Sequence, residues 1–240
     1  MLRQNLEEHI RRYKPSEIDI DETLLEGDYF KKIVYKVVKI IRFQFEHRIR
    51  DGIKGFLFYG PPGTGKTTAA KLVAKKLGVP LFFIDGADIA RPLYGHSEQR
   101  IRDIFNHARK MAPSIILIDD VESIFMRRSA PLVESWHIAQ DNVFFHMLDE
   151  LDTSKNCVIL TTNKYELVDD AIIDRLYPIE FPKPDRETLI KIATTRARRL
   201  LGENFAKRVE YRLRNTNTKL ETIRDALRMV MELYIETITT

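Results

Sequence analysis

One cysteine, Cys157, and one tryptophan, Trp136, occur in 240 residues. A lone thiol excludes a disulfide framework and a cysteine-rich zinc site, and it fits a reducing compartment, with the cytoplasm as the expected one. Glycine and proline number 10 each, too few for a collagen-like or low-complexity chain. The excess charge is small: 39 basic against 35 acidic side chains leave +4. That balance argues against a dedicated acidic or basic tail and against disorder driven by charge. No apolar run approaches the ~18 residues of a membrane span. The stretch from Met1 to Asp21 is charged throughout and holds no signal-peptide core. The six histidines show no metal-ligand spacing. The expectation is a soluble, intracellular, globular protein of one or two domains, with no membrane partner.

What is present is a hydrophobic fraction of 44 %, ordinary for a chain that buries a core. Leu2 to Tyr13 reads as a short charged helix, interrupted at Lys14-Pro15 because a residue before proline avoids the helical region. Phe30, Ile33, Val34, Val37, Val38, Ile41 and Phe45 recur three and four apart, which predicts one apolar face of a helix over Tyr29 to Arg50. Short apolar runs then alternate with helical patterns. Strands are predicted at Gly55–Tyr59, Leu81–Ile84, Ser114–Ile118, Val158–Thr162 and Pro178–Phe181. Helices fall at Lys66–Leu77, Glu98–Met111 and Asp141–Leu151. This alternation predicts an α/β domain with a parallel five-stranded sheet covered by helices on both faces, a three-layer architecture. Cys157 is read as a small core residue at a strand start. After Pro182-Lys183-Pro184 only helical patterns remain, chiefly Arg186–Leu201 and Leu220–Ile238. The boundaries are therefore set at 1–26 for an N-terminal segment, 27–183 for the α/β domain and 184–240 for a small all-α lid. From Arg186 to Arg214 nine basic residues face three glutamates. They form either a solvated surface or one that meets phosphate or an acidic partner.

The segment Gly60-Pro61-Pro62-Gly63-Thr64-Gly65-Lys66-Thr67, followed by Thr68, fits G-x-x-x-x-G-K-[ST] in its required setting, after a strand and opening a helix. Glycines let the backbone curl so that several N–H groups face one anion, and the helix N-terminus adds partial positive charge. Lys66 would reach the β- and γ-phosphates of a nucleotide, and Thr67 would offer its hydroxyl to Mg²⁺. The second half of such a site is the run Ser114 to Ile118 ending in Asp119-Asp120. Asp119 is the candidate for holding Mg²⁺. Asp120 could polarise the attacking water. Glu122, sharing parity with Asp120 if the strand continues, is a second candidate base.

Taken together these residues resemble the AAA family of ATPases, within the AAA+ group of P-loop NTPases, from about Gly27 to the C-terminus. The resemblance rests on the phosphate loop, on Tyr94-Gly95-His96-Ser97-Glu98, on Ala112 to Asp120, on Thr161-Thr162-Asn163 and on Val168 to Pro184. It implies that Asn163 senses the γ-phosphate and orients water. It implies that Arg175 is an arginine finger acting on ATP held by the next subunit, so the chain would form a homo-oligomeric ring, usually a hexamer. It implies that Leu93 and Tyr94 form a pore loop gripping a protein substrate. Trp136 falls where a second pore loop would lie. The implied activity is an ATP-driven remodeller or unfoldase with ATP and Mg²⁺ as cofactors.

Four departures qualify the resemblance. The pair at the strand end is Asp119-Asp120 where Asp-Glu is usual. The shorter side chain predicts slow hydrolysis, and it leaves an ATP-binding switch or loader subunit as the alternative reading. Asp174 precedes a lone Arg175, so the second arginine often found there is absent. His96 stands where glutamate is usual, and Pro92 precedes the gripping residues. The lid carries Lys219-Leu220-Glu221 instead of a small-residue motif, and Arg224 is either a lid arginine facing the nucleotide or a plain surface residue. A nucleic-acid-associated loader is a third reading, motivated by the basic lid but without an aromatic stacking platform to support it.

Overall fold

The structure is a computed structural model that describes residues 10–20, 22–89, 96–125, 135–215 and 220–239. Five strands run parallel: β2 (Gly55–Tyr59), β3 (Leu81–Asp85), β4 (Ser114–Asp119), β5 (Asn156–Thr162) and β6 (Tyr177–Glu180). A sixth, β1 (Arg11–Tyr13), adds to the β3 edge in antiparallel register, pairing Arg11 with Phe83 and Tyr13 with Leu81. The order across the sheet is β1-β3-β4-β5-β2-β6.

The inner strands β2 to β5 are largely apolar on both faces because both faces are covered. In β4, Ile115 and Leu117 enter one core while Ile116 and Ile118 enter the other. In β5, Cys157 and Ile159 take the first side, Val158 and Leu160 the second. The first core is roofed by α1 (Asp28–Glu46) and α2 (Lys66–Leu77), and the second by α4 (His96–Lys110) and α5 (Ser135–Asp149). The short α3 (Gly86–Ile89) links β3 to the second side, and α6 (Asp170–Arg175) precedes β6.

The apolar face predicted for α1 is buried, with one change: Gln44 is inside and Phe45 is only partly covered. Gln44 is held there by its amide. Its Oε1 accepts from Ile53 N at 2.6 Å and its Nε2 donates to Ile53 O at 3.2 Å, which clamps the loop entering β2.

Two expectations are corrected. Arg11 to Tyr13 are strand, not the end of a helix. An exposed, charged tripeptide carries no strand periodicity; it is recruited by the open edge of β3. Ring contacts reinforce the pairing: Arg11 lies 5.6 Å from the Phe83 centroid, and Lys71 lies 5.1 Å from Phe83 and 5.6 Å from Tyr13. Second, α5 begins at Ser135 rather than Asp141, so Trp136 falls in its first turn and not in a loop.

The C-terminal part is helical: α7 (Arg186–Asn215), broken by non-helical backbone at Leu201–Gly202, and α8 (Ile223–Thr239). All three glutamates of α7 are paired with its arginines, which leaves the helix with an excess of basic residues. Arg214 pairs with Glu187 at 2.8 Å and Glu210 at 3.0 Å, and Arg198 pairs with Glu203 at 2.6 Å.

Candidate active site

The loop from Gly60 to Gly65 leaves the C-terminal end of β2 and turns directly into α2. Gly60 has φ +140, and a Cβ there would lie 2.2 Å from the Phe181 carbonyl oxygen. Gly65 caps α2 in the left-handed region, φ 91 and ψ 17. Gly60 has no room for a side chain and Gly65 has a backbone that disfavours one, and together they curl the loop so that its amides and the α2 N-terminus face one volume. Thr64 is fully buried and braces the curl, its Oγ1 donating to Pro61 O at 2.9 Å.

Lys66 is only 5 % exposed. Its Nζ donates to Gly60 O at 2.8 Å, Pro61 O at 2.9 Å and Asn163 Oδ1 at 2.7 Å. Burial pulls its pKa down; the carboxylates of Asp120, Glu122 and Asp119 oppose that pull.

Asp119 ends β4 beside α2. It accepts from Thr67 Oγ1 at 2.8 Å and 3.1 Å on its two oxygens, and Thr161 Oγ1 donates to it as well. A hydroxyl facing a carboxylate supplies hard oxygen donors. Among the described residues no cluster of three or more His, Cys, Asp or Glu side chains could hold a metal alone. That donor set fits Mg²⁺, which binds through one or two protein oxygens together with phosphates and water.

Asp120 follows in the left-handed region, φ 54 and ψ 54. Aspartate tolerates that conformation better than most residues. The turn ends the strand, so the parity argument linking Asp120 to Glu122 fails. Glu122 instead reaches the site through the 3₁₀ turn Val121–Ser123, its Oε1 accepting from Asn163 N at 3.3 Å. Asp120 Oδ1 accepts from Asn163 Nδ2 at 2.8 Å, and its N–H donates to Thr161 Oγ1 at 3.1 Å. Partial burial, then the negative neighbours Asp119, Glu122 and Asp85, raise the Asp120 pKa, with Lys66 opposing. Asn163 sits just past the end of β5, between Lys66 and Asp120.

Lys66, Thr67, Asp119, Asp120 and Asn163 line a cavity of about 660 Å³ between the loop and α8, within the size range of small-molecule sites. The lid closes on the loop itself, since a Cβ on Gly63 would lie 3.1 Å from Thr222 Oγ1. Arg224 and Arg228 face the cavity, with Ile223, Leu227 and Met231 beside them. An adjoining chamber of about 320 Å³ continues from Gly65 and Thr68 past Leu227 and Met231 to Asp19 and Ile20. The sequence reading named Arg224 but missed Leu227, Arg228 and Met231. Their spacing along one helix was the available signal; the face of α8 that meets the loop was not.

Arg175 is elsewhere. It ends α6 ahead of Tyr177, which pairs with Phe56, whereas the loop follows Tyr59, which pairs with Glu180. About 10 Å of strand therefore separates the two levels. Its guanidinium donates to Asp149 Oδ1 at 3.0 Å and Ala171 O at 3.1 Å, and lies 4.8 Å from the Phe145 ring centroid. Leu93 and Tyr94 lie outside the described residues.

The sequence model of the ATPase family associated with various cellular activities (AAA) matches residues 56–184. Three relatives illustrate the likeness. The "Probable inactive ATP-dependent zinc metalloprotease FTSHI 4, chloroplastic" of Arabidopsis thaliana is 32 % identical over 179 residues, covering 69 % of this chain and 21 % of that protein. The "ATP-dependent zinc metalloprotease FtsH" of Mycoplasma genitalium is 37 % identical over 149 residues, 58 % of this chain and 21 % of its own length. The protein of that name from Pelodictyon phaeoclathratiforme is 38 % identical over 153 residues, 59 % and 23 % respectively. The chain thus spans about a fifth of the length of these relatives. With a family match over more than half its residues, a phosphate loop of this geometry and a donor set suited to ATP and Mg²⁺, the chain belongs to the AAA family of ATPases.

Proposed function

We propose that the chain is an ATP-hydrolysing AAA motor that works as a ring, that the short side chain of Asp120 makes its turnover slow, and that it remodels protein substrates in the cytoplasm. The observation that carries this reading is the convergence of Lys66, Thr67, Asp119, Asp120, Asn163 and Arg224 around one cavity. In this reading the loop from Gly60 to Thr68 and Lys66 hold the triphosphate, and Thr67 and Asp119 hold Mg²⁺. The metal, when bound, neutralises phosphate charge as it develops. Asp120 takes the proton of the attacking water, and Asn163 orients that water against the γ-phosphate. The apolar chamber next to Thr68 receives the base, and Arg224 adds positive charge from the lid. Arg175 cannot reach the cavity of its own chain, which suits a role on a neighbouring copy in a ring, hexameric in the family pattern. The pore-loop role of Leu93 and Tyr94 rests on the motif alone.

The binding-switch reading is favoured by one feature: Asp120 is short and its carboxylate is engaged by Asn163 at 2.8 Å. Phosphate release and particle mass, measured with ATP, ADP and Mg²⁺ on the wild type and Lys66→Ala, decide between the two. The motor reading expects turnover, ATP-dependent assembly and stimulation by an unfolded protein, all lost in Lys66→Ala. Tight binding with near-zero turnover supports the switch, and stimulation by single-stranded DNA supports a loader. No nucleotide binding at millimolar ATP would end all three.

A further inference from the structure

The left-handed backbone at Asp120 folds the chain back after β4 and brings a third carboxylate behind the first two. Glu122 Oε1 accepts from the Asn163 main-chain N–H at 3.3 Å. Its second oxygen, Oε2, is buried and has no hydrogen-bond partner among the described residues. A buried carboxylate oxygen without a donor is unfavourable and calls for an explanation. Glu122 is not among the residues lining the nucleotide cavity, whereas Asp120 and Asn163 are. It therefore stands behind the reacting groups.

Asn163 is held at three points. Glu122 holds its main chain, Lys66 Nζ donates to its Oδ1 at 2.7 Å, and its Nδ2 donates to Asp120 Oδ1 at 2.8 Å. The partners in the second and third, Lys66 and Asp120, line the cavity and meet its contents, whereas Glu122 does not, so its hold on the Asn163 main chain does not depend on what the cavity holds. We propose that Glu122 is a positioning residue: it fixes the Asn163 backbone, and through it the amide that meets the γ-phosphate, while the water is polarised by Asp120. This rests on the reading of Asn163 and Asp120 given above.

The test compares Glu122→Gln, Glu122→Ala, Asn163→Ala and Asp120→Asn in the full chain with Mg²⁺. Two quantities are read: kcat with its KM, and the ratio of affinities for a non-hydrolysable ATP analogue and ADP. Glutamine keeps an acceptor oxygen for the Asn163 N–H, so Glu122→Gln is expected to hold both quantities within about threefold of wild type. Alanine removes the acceptor. Displacement of an active group by about 1 Å can cost a hundredfold, so Glu122→Ala is expected to lose roughly ten- to a hundredfold in kcat at nearly unchanged KM. Its affinity ratio should fall to that of Asn163→Ala. If Glu122→Gln is as slow as Asp120→Asn, Glu122 acts through its charge and the positioning role is wrong. An affinity ratio at the wild-type value in Glu122→Ala also overturns it. A wild type that binds but never hydrolyses refutes the motor reading alone, because the affinity ratio still decides this one.

Discussion

Replacing Asp120 by glutamate sets two effects of known size against each other. The added methylene carries the carboxylate outward by about 1.5 Å. If aspartate is too short to meet the water well, a misplacement on that scale costs about a hundredfold in rate, or about 2.7 kcal/mol of barrier. Asp120→Glu is then expected to raise kcat by up to about that factor. The backbone opposes the exchange. Position 120 has φ 54 and ψ 54, where residues other than Gly, Asn and Asp are disfavoured by about 1 kcal/mol. The longer side chain also overshoots the 2.8 Å bond from Asn163 Nδ2. The glutamate variant should therefore turn over faster and melt lower, by roughly 2–4 °C for a chain of this size. Asp120→Asn should lose about a hundredfold or more in kcat, in line with removing a general base, with ATP affinity kept. The assay is phosphate release at saturating Mg·ATP, with ATP affinity and thermal melting measured on the same preparations. The reasoning fails if Asp120→Asn turns over like the wild type, or if Asp120→Glu gains stability without gaining rate.

Arg175→Ala should leave ATP affinity of the isolated chain unchanged, because the guanidinium sits on Asp149 and Phe145 away from the cavity. Assembly-dependent phosphate release should drop by about 10³-fold or more, and titration calorimetry beside that assay separates the two effects. Gly60→Ala should lower the melting temperature and abolish nucleotide binding, since its Cβ would meet the Phe181 carbonyl at 2.2 Å; a soluble, ATP-binding variant with wild-type melting would contradict this. The Cys157 thiol is fully buried and its pKa is pushed far up by burial. It should resist alkylation at pH 8 in the native protein and react on unfolding in denaturant, as a mass shift on intact protein would show.

Much of the architecture was written in local pattern. The parallel strands β2 to β5 announce themselves as largely apolar runs, because each is buried on both faces. The phosphate loop is equally legible, since Gly60, Gly65 and Lys66 occupy positions whose backbone and charge demands few other residues meet. Asp119 and Asn163 could be named because each lies at or just past the C-terminal end of a strand, where a parallel sheet presents its ligands. Other features were decided only when the chain closed on itself. Arg11 to Tyr13 became strand because β3 offered an unpaired edge, a property of the sheet and not of the tripeptide. Glu122 joined the site through one left-handed residue that no periodicity signals. Arg224 and Met231 came to face the loop because α8 packs with that side toward Gly63. Local sequence determines what a segment can form and which chemistry it carries; which partners its side chains meet depends on contacts between residues far apart in the chain, and only the folded structure sets those.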